Sequence, residues 1–138
     1  MKKIQVFLQT WGPSMLMMAL IFSFSSITGS QMPNFGLVDF LVKKGGHACG
    51  YALLALANLY GLRRRRGGKG QGGQPLRLYA LALLIAVMYA VTDEFHQSFV
   101  SGRHPAVTDV GIDALGACAG LALWAATFSR RQKQETEI

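Results

Sequence analysis

Four stretches of this chain carry no Asp, Glu, Lys or Arg at all: 4–38, 45–62, 78–92 and 114–129. A solvated helix shows charge on its wet face every turn or two. These stretches do not, and that excludes a soluble bundle. Each is close to the ~17–25 residues that cross a hydrocarbon core, although the third is short. The mean hydropathy of +0.27 is modest only because it averages them with charged punctuation. The expected fold is therefore all-α: an integral membrane four-helix bundle, formed as one domain of 138 residues. Its expected spans cover roughly 7–27, 46–62, 76–95 and 109–128.

Trp11 is placed as an interfacial anchor, and Pro13 falls in the first turns of the first span, where proline is tolerated. Pro33, Asn34 and Gly36 break the chain between 29 and 44, and Gly102 and Pro105 break it after the third span. Residues 63–75 form a flexible basic loop, since Arg63 to Arg66 run into a glycine-rich segment. The charged tail, 129–138, is expected to fray. A cleaved signal peptide is the competing reading of the N-terminal region. Lys2 and Lys3 would be its basic part, 15–24 its apolar core and 28–30 its small-residue exit, which would leave three spans.

Charge is distributed by side. Eleven of the 14 basic residues flank the spans at one end: Lys2, Lys3, Arg63 to Arg66, Lys69, Arg77, Arg130, Arg131 and Lys133. Lys43, Lys44 and Arg103 fall at the other end. There they meet all three histidines and five of the seven acids. Lys and Arg in short loops stay cytoplasmic, so both termini are expected inside, in the inner membrane of a bacterium. The net charge of +7 is read as a topology signal with weak attraction for anionic lipid. Nucleic acid is not an expected partner, because the basic run is not interleaved with aromatic or polar readers. Cys49 and Cys118 lie in apolar segments with neither metal-type nor disulfide spacing, and are read as packing residues.

Depth follows from helical rise. His47 lies sixteen positions from Arg63, Asp93 sixteen from Arg77, and Asp113 seventeen from Arg130. At ~1.5 Å per residue all three sit about 24–26 Å from a basic anchor, at one level near the outer boundary. Ionisable groups at such a depth turn toward one another or toward a wet cavity. Spacing gives them shared faces: His47 with Tyr51, Asp93 with His96 and Gln97, and Asp109 with Asp113, Gly116 and Gly120. The last two form a GxxxG pattern that permits close helix approach.

Several chemistries remain open for this cluster. His47, Tyr51, Asp93, Glu94, His96, Gln97, Arg103, Asp109 and Asp113 are the candidate ligand-binding residues, forming an outward pocket for an amphiphile's head group. Arg103, with Lys43 and Lys44, would meet phosphate or carboxylate. A structural network is the plain alternative, with Arg103 clamping a carboxylate bidentately. Acid–base catalysis on a lipid-linked substrate is another, with or without a divalent metal. No compact metal motif or nucleophile triad accompanies it, so neither a metal nor a cofactor is expected. Ser98 and Ser101 read as ordinary loop serines and His104 as a solvated turn residue. A third class is a structural or regulatory partner, packing on another membrane protein or on a second copy.

These residues resemble the VanZ-like family of small bacterial membrane proteins. The resemblance rests on Phe24-Ser25-Ser26 ending the first span and on Lys44, His47 and Tyr51 opening the second. It continues with the run 93–99 (Asp-Glu-Phe-His-Gln-Ser-Phe), then Arg103, Asp109, Gly116 and Gly120. It covers about Trp11 to Gly120. One departure is Asp113, where the family often places Asn. The resemblance implies four spans and a link to envelope biology. The family's namesake is associated with resistance to teicoplanin, a lipoglycopeptide. The partners so implied are membrane lipids, a lipid-linked cell-wall precursor or a lipoglycopeptide.

Overall fold

The computed structural model describes residues 2–28, 37–66 and 75–136, with side chains described outside 37–42 and 129–136. Four helices follow in order: α1 (Lys2–Ser25), α2 (Leu37–Arg65), α3 (Leu76–Gln97) and α4 (Val107–Thr136). No strand occurs among the described residues. Three helices are long and apolar enough to cross a membrane: α1, α3 and the part of α4 from Val107 to Phe128.

The second helix falls short of that measure, and its position explains why. α2 packs against α1, α3 and α4. Its inward stripe is Tyr51, Leu54, Ala55, Asn58 and Leu59, all essentially sealed from solvent. The i, i+3, i+4, i+7 spacing places these five on one face. A helix surrounded by protein has less need of an apolar exterior, so α2 carries Asn58 in its middle, donating to Ala82 O at 3.5 Å.

Burial is inverted relative to a water-soluble bundle. On α1 the buried residues are Thr10, Ser14, Ile21 and Ser25, while Phe7, Leu8, Leu16 and Phe24 face outward. On α3 an alanine stripe, Ala82, Ala86 and Ala90, is fully buried, while Leu84, Met88 and Phe95 are exposed. Small or polar inside and large apolar outside is the pattern of helices packed in lipid, where no hydrophobic force separates core from surroundings.

Glycine sets the closest contact. A methyl group on Gly116 would overlap the backbone of Ala48, and one on Gly120 would crowd Ala52. The GxxxG face of α4 is thus spent on an AxxxA face of α2 within the same chain. At the other end of the bundle, Gly61 leaves no room for a side chain beside Trp11 and the Thr10 carbonyl.

Element boundaries depart from the sequence expectations in four places. Arg63, Arg64 and Arg65 form the last turn of α2 and not part of the basic loop expected over 63–75. α1 begins at Lys2, so Pro13 lies inside the helix and not in its opening turns. Its missing N–H leaves one carbonyl a turn earlier without its helical donor, which membrane helices tolerate. Residues 37–44 belong to α2 and not to the preceding loop, because Lys44 has an ion-pair partner on α4 that supports an extra turn. The backbone of α4 stays helical to Thr136, beyond the onset expected for fraying. The breakers at 33, 34 and 36 and most of the glycine-rich loop, 67–74, lie outside the described residues.

Candidate functional site

The ends of α1 and α3, the start of α4 and the N-terminal half of α2 meet at one end of the bundle. Gly102, with φ 74°, makes the turn from α3 toward α4. A side-chain-bearing residue rarely adopts that conformation. Arg103 N bonds Val100 O at 3.1 Å across this turn, which fixes where its side chain departs.

The most buried part of the site joins α1 to α3. Ser25 Oγ donates to Asp93 Oδ2 at 2.7 Å. Gln97 Nε2 donates to the same oxygen at 3.1 Å and to Glu94 Oε1 at 3.3 Å. Glu94 Oε2 accepts the backbone N–H of Ala106 at 3.0 Å, satisfying a donor at the start of α4 that the helix leaves open. Asp93 and Gln97, predicted on one face, are thus brought together, and Gln97 also draws in Glu94. Asp93 Oδ1 is buried with no hydrogen-bond partner.

A second group joins α2 to α4. His47 Nδ1 lies 3.8 Å from Asp113 Oδ2, a distance for charge attraction and not for a hydrogen bond. Asp113 is 2% exposed. The His47 and Tyr51 rings stack at 6.4 Å, and Tyr51 meets Tyr89 at 6.3 Å. The Tyr51 hydroxyl is buried without a partner. α2 packs against α3 as well as α4, so both groups lie at the same end of the bundle. Asp109, in the first turn of α4, pairs with Lys44.

His96 stands apart from this interior. Its ring lies 4.3 Å from that of Phe22, and its Nε2 is 3.1 Å from Ser26 Oγ. Asp93 and His96, three residues apart, both face the end of α1, Asp93 at buried Ser25 and His96 at exposed Ser26. His104 is exposed in the turn.

Arg103 does not clamp a carboxylate. Its Nη2 donates to Phe24 O at 2.9 Å and its Nε to Ile27 O at 3.1 Å. The guanidinium therefore sits at the C-terminal end of α1, sharing Phe24 O with the Ile27 N–H, where the helix dipole favours a cation. Among the described residues, no carboxylate lies within ion-pair distance of it.

Arg103, Lys43 and His47 form the polar wall of a cavity of about 380 Å³ between α1 and α2. Met17, Leu20, Ile21 and Phe24 supply much of the rest. Its volume lies within the ~300–1,000 Å³ of small-molecule sites. Apolar on one side and cationic at one end, it matches a ligand with a hydrocarbon part and an anionic part. Among the described residues, no group of three or more His, Cys, Asp or Glu side chains is arranged to hold a metal ion.

Three participants were not among the residues singled out from the sequence as ligand-binding. Ser25 was noted only within a motif, yet it shares a proton with Asp93. Ser26 meets His96. Tyr89 donates to Met18 O at 2.7 Å, tying α3 to α1 just beneath the cluster. Part of their signal was in the sequence: Tyr89 lies one turn before Asp93 on the same helix, and Ser25 and Ser26 close the first span.

A family model described as VanZ/LLP1 matches residues 10–128. No curated protein and no solved structure matches the chain.

Proposed function

The chain belongs to the VanZ/LLP1 family, and from that premise we propose that it is a four-span inner-membrane protein that binds an anionic amphiphile of the cell envelope. The ligand class comprises an envelope lipid, a lipid-linked cell-wall precursor or a lipoglycopeptide such as teicoplanin. The observation that carries the reading is the cavity between α1 and α2, which ends at Arg103. That guanidinium has carbonyl partners but no described counter-charge.

The sidedness of charge supports an outward cavity. Arg63, Arg64 and Arg77 gather at the opposite end of the helices, which the positive-inside bias assigns to the cytoplasm. Both termini then lie inside and the polar cluster opens toward the outer leaflet. Asp93, Glu94, Gln97 and Asp109 hold the helix ends, while His47 and Arg103 face the ligand. Binding there changes how the amphiphile is presented at the membrane surface, and so changes susceptibility to antibiotics that act on it.

The test is lipid extraction from purified protein. Wild type should retain an acidic amphiphile that a folded Arg103→Ala variant lacks. Equal retention by both proteins, or a bound species without an anionic group, would reject the assignment.

An enzymatic reading has one observation in its favour: His47 faces the cavity with the buried Asp113 behind it. A carboxylate oriented toward an imidazole is an arrangement for acid–base chemistry on a bound lipid. It differs in outcome. An enzyme depletes its lipid-linked substrate, with a pH profile altered by His47→Gln, whereas a binding protein leaves the substrate unchanged.

A further inference from the structure

The basic end of the bundle holds a second cavity, of about 460 Å³, lined by Leu56, Leu59, Tyr60, Arg63, Arg64 and Trp124. It lies between α2 and α4, at the opposite end of the molecule from the cluster above. We infer that it is a binding site for the phosphodiester head group of an acidic phospholipid in the adjoining leaflet, with the lipid's glycerol and upper chain against Leu56.

Two observations separate this site from general attraction of a basic loop to a membrane. First, both guanidiniums are held in place by neutral groups. Arg63 lies 5.7 Å from the centroid of the Trp124 ring and 5.3 Å from that of Phe128. Arg64 donates to Tyr60 Oη at 2.9 Å and to Gln9 Oε1 at 2.8 Å. Neither arrangement cancels charge, and stacking on a ring face leaves the donors at the edge of the guanidinium available. Second, no described carboxylate lies within ion-pair distance of either arginine. Asp93, Glu94, Asp109 and Asp113 are all engaged at the other end.

A planar guanidinium meets a phosphate through paired donors, which gives geometry as well as charge. Tyr60 and Trp124 are 43% and 40% exposed, so the cavity opens sideways at the depth where aromatic side chains sit in a bilayer interface. Arg65 and Arg66, exposed like Arg64, line no part of it. They supply surface attraction of ~1 kcal/mol each at most, falling off within a Debye length. Arg63 and Arg64 supply a site.

That difference provides the test. The full chain is reconstituted in zwitterionic nanodiscs, phosphatidylglycerol is titrated in, and bound lipid is counted by mass spectrometry. Arg63→Gln/Arg64→Gln and Arg65→Gln/Arg66→Gln remove the same charge. The first should weaken a saturable site by about tenfold or more, on the scale of one lost charge-assisted contact, and the second by no more than about twofold. Equal weakening in both, or non-saturable uptake, would overturn the assignment. Inorganic phosphate titrated alone should not saturate the site. Should it compete as well as the lipid, the apolar wall has no part and the phospholipid assignment fails. Trp124→Ala keeps every arginine and should also weaken binding, which keeps the test decisive if the double variant does not insert. None of these changes should alter the ligand at Arg103, so this site and the outward one stand or fall separately.

Discussion

Ser25 and Asp93 tie the last turn of α1 to the end of α3 through a 2.7 Å hydrogen bond between two buried side chains. Ser25 Oγ also accepts a long contact of 3.4 Å from Gln97, so one hydroxyl mediates between the carboxylate and the amide. Asp93 cannot relax outward to a polar surface, because the outward face of α3 carries Met88, Val91 and Phe95. The hydrogen bond therefore fixes where α1 ends relative to α3, and with it the wall of the outward cavity.

Ser25→Ala removes this donor and leaves Asp93 Oδ2 with Gln97 alone. Interhelical hydrogen bonds in membranes average ~0.6 kcal/mol and reach ~1.7. The loss should lie toward the upper figure, because a buried carboxylate oxygen loses the shorter of its two donors. Reversible unfolding in mixed micelles measures it. Ser26→Ala, whose partner His96 is only half-buried, should cost less.

Gly116→Ala should destabilise by about 1–3 kcal/mol, the range for forcing extra volume into a packed contact. The added methyl meets the backbone of Ala48, which cannot rotate away as a side chain would. Gly111 lies on the same helix with nothing near it. Gly111→Ala should be neutral or stabilising by up to about 1 kcal/mol through helix propensity. The two unfolding curves should therefore shift in opposite directions.

His47 and Asp113 should be energetically coupled. A double-mutant cycle of His47→Gln and Asp113→Asn is expected to give an interaction of at least ~0.5 kcal/mol, since the two groups share one charge interaction across α2 and α4. The same cycle on His104 and Asp113 should give none, because His104 is exposed in the turn.

Sidedness predicts a labelling pattern. In a variant with Cys49 and Cys118 replaced by Ala, Ser101→Cys should react with a membrane-impermeant maleimide on intact cells. Lys69→Cys should react only after permeabilisation. The reverse pattern would invert the protein and turn the polar cluster toward the cytoplasm.

Charge gaps in the sequence foretold the four helices, and counting from basic anchors put His47, Asp93 and Asp113 toward one end of them. His47 and Asp113 do adjoin. Spacing placed residues of one helix on shared faces, but not which neighbouring helix each face would meet. It could not say that Arg103 would take the carbonyls of Phe24 and Ile27 in preference to a carboxylate, because that depends on where α1 ends beside the turn at Gly102. It gave no warning that His96 would face Ser26. The alanine stripe at 82, 86 and 90 was readable as a small-residue face but is weak beside the louder leucines around it. α2 reads as a span like the others, and only its central place among three neighbours accounts for Asn58 and Tyr51 within it.

The most direct measurement is titration of a short-chain anionic amphiphile into detergent-solubilised wild type and Arg103→Ala, with melting curves of both. Losing one charge-assisted interaction should weaken binding by about 10–150-fold, while the variant stays folded. Equal affinity in two folded proteins would show that the outward cavity does not recognise an anion, and the proposed function would be wrong.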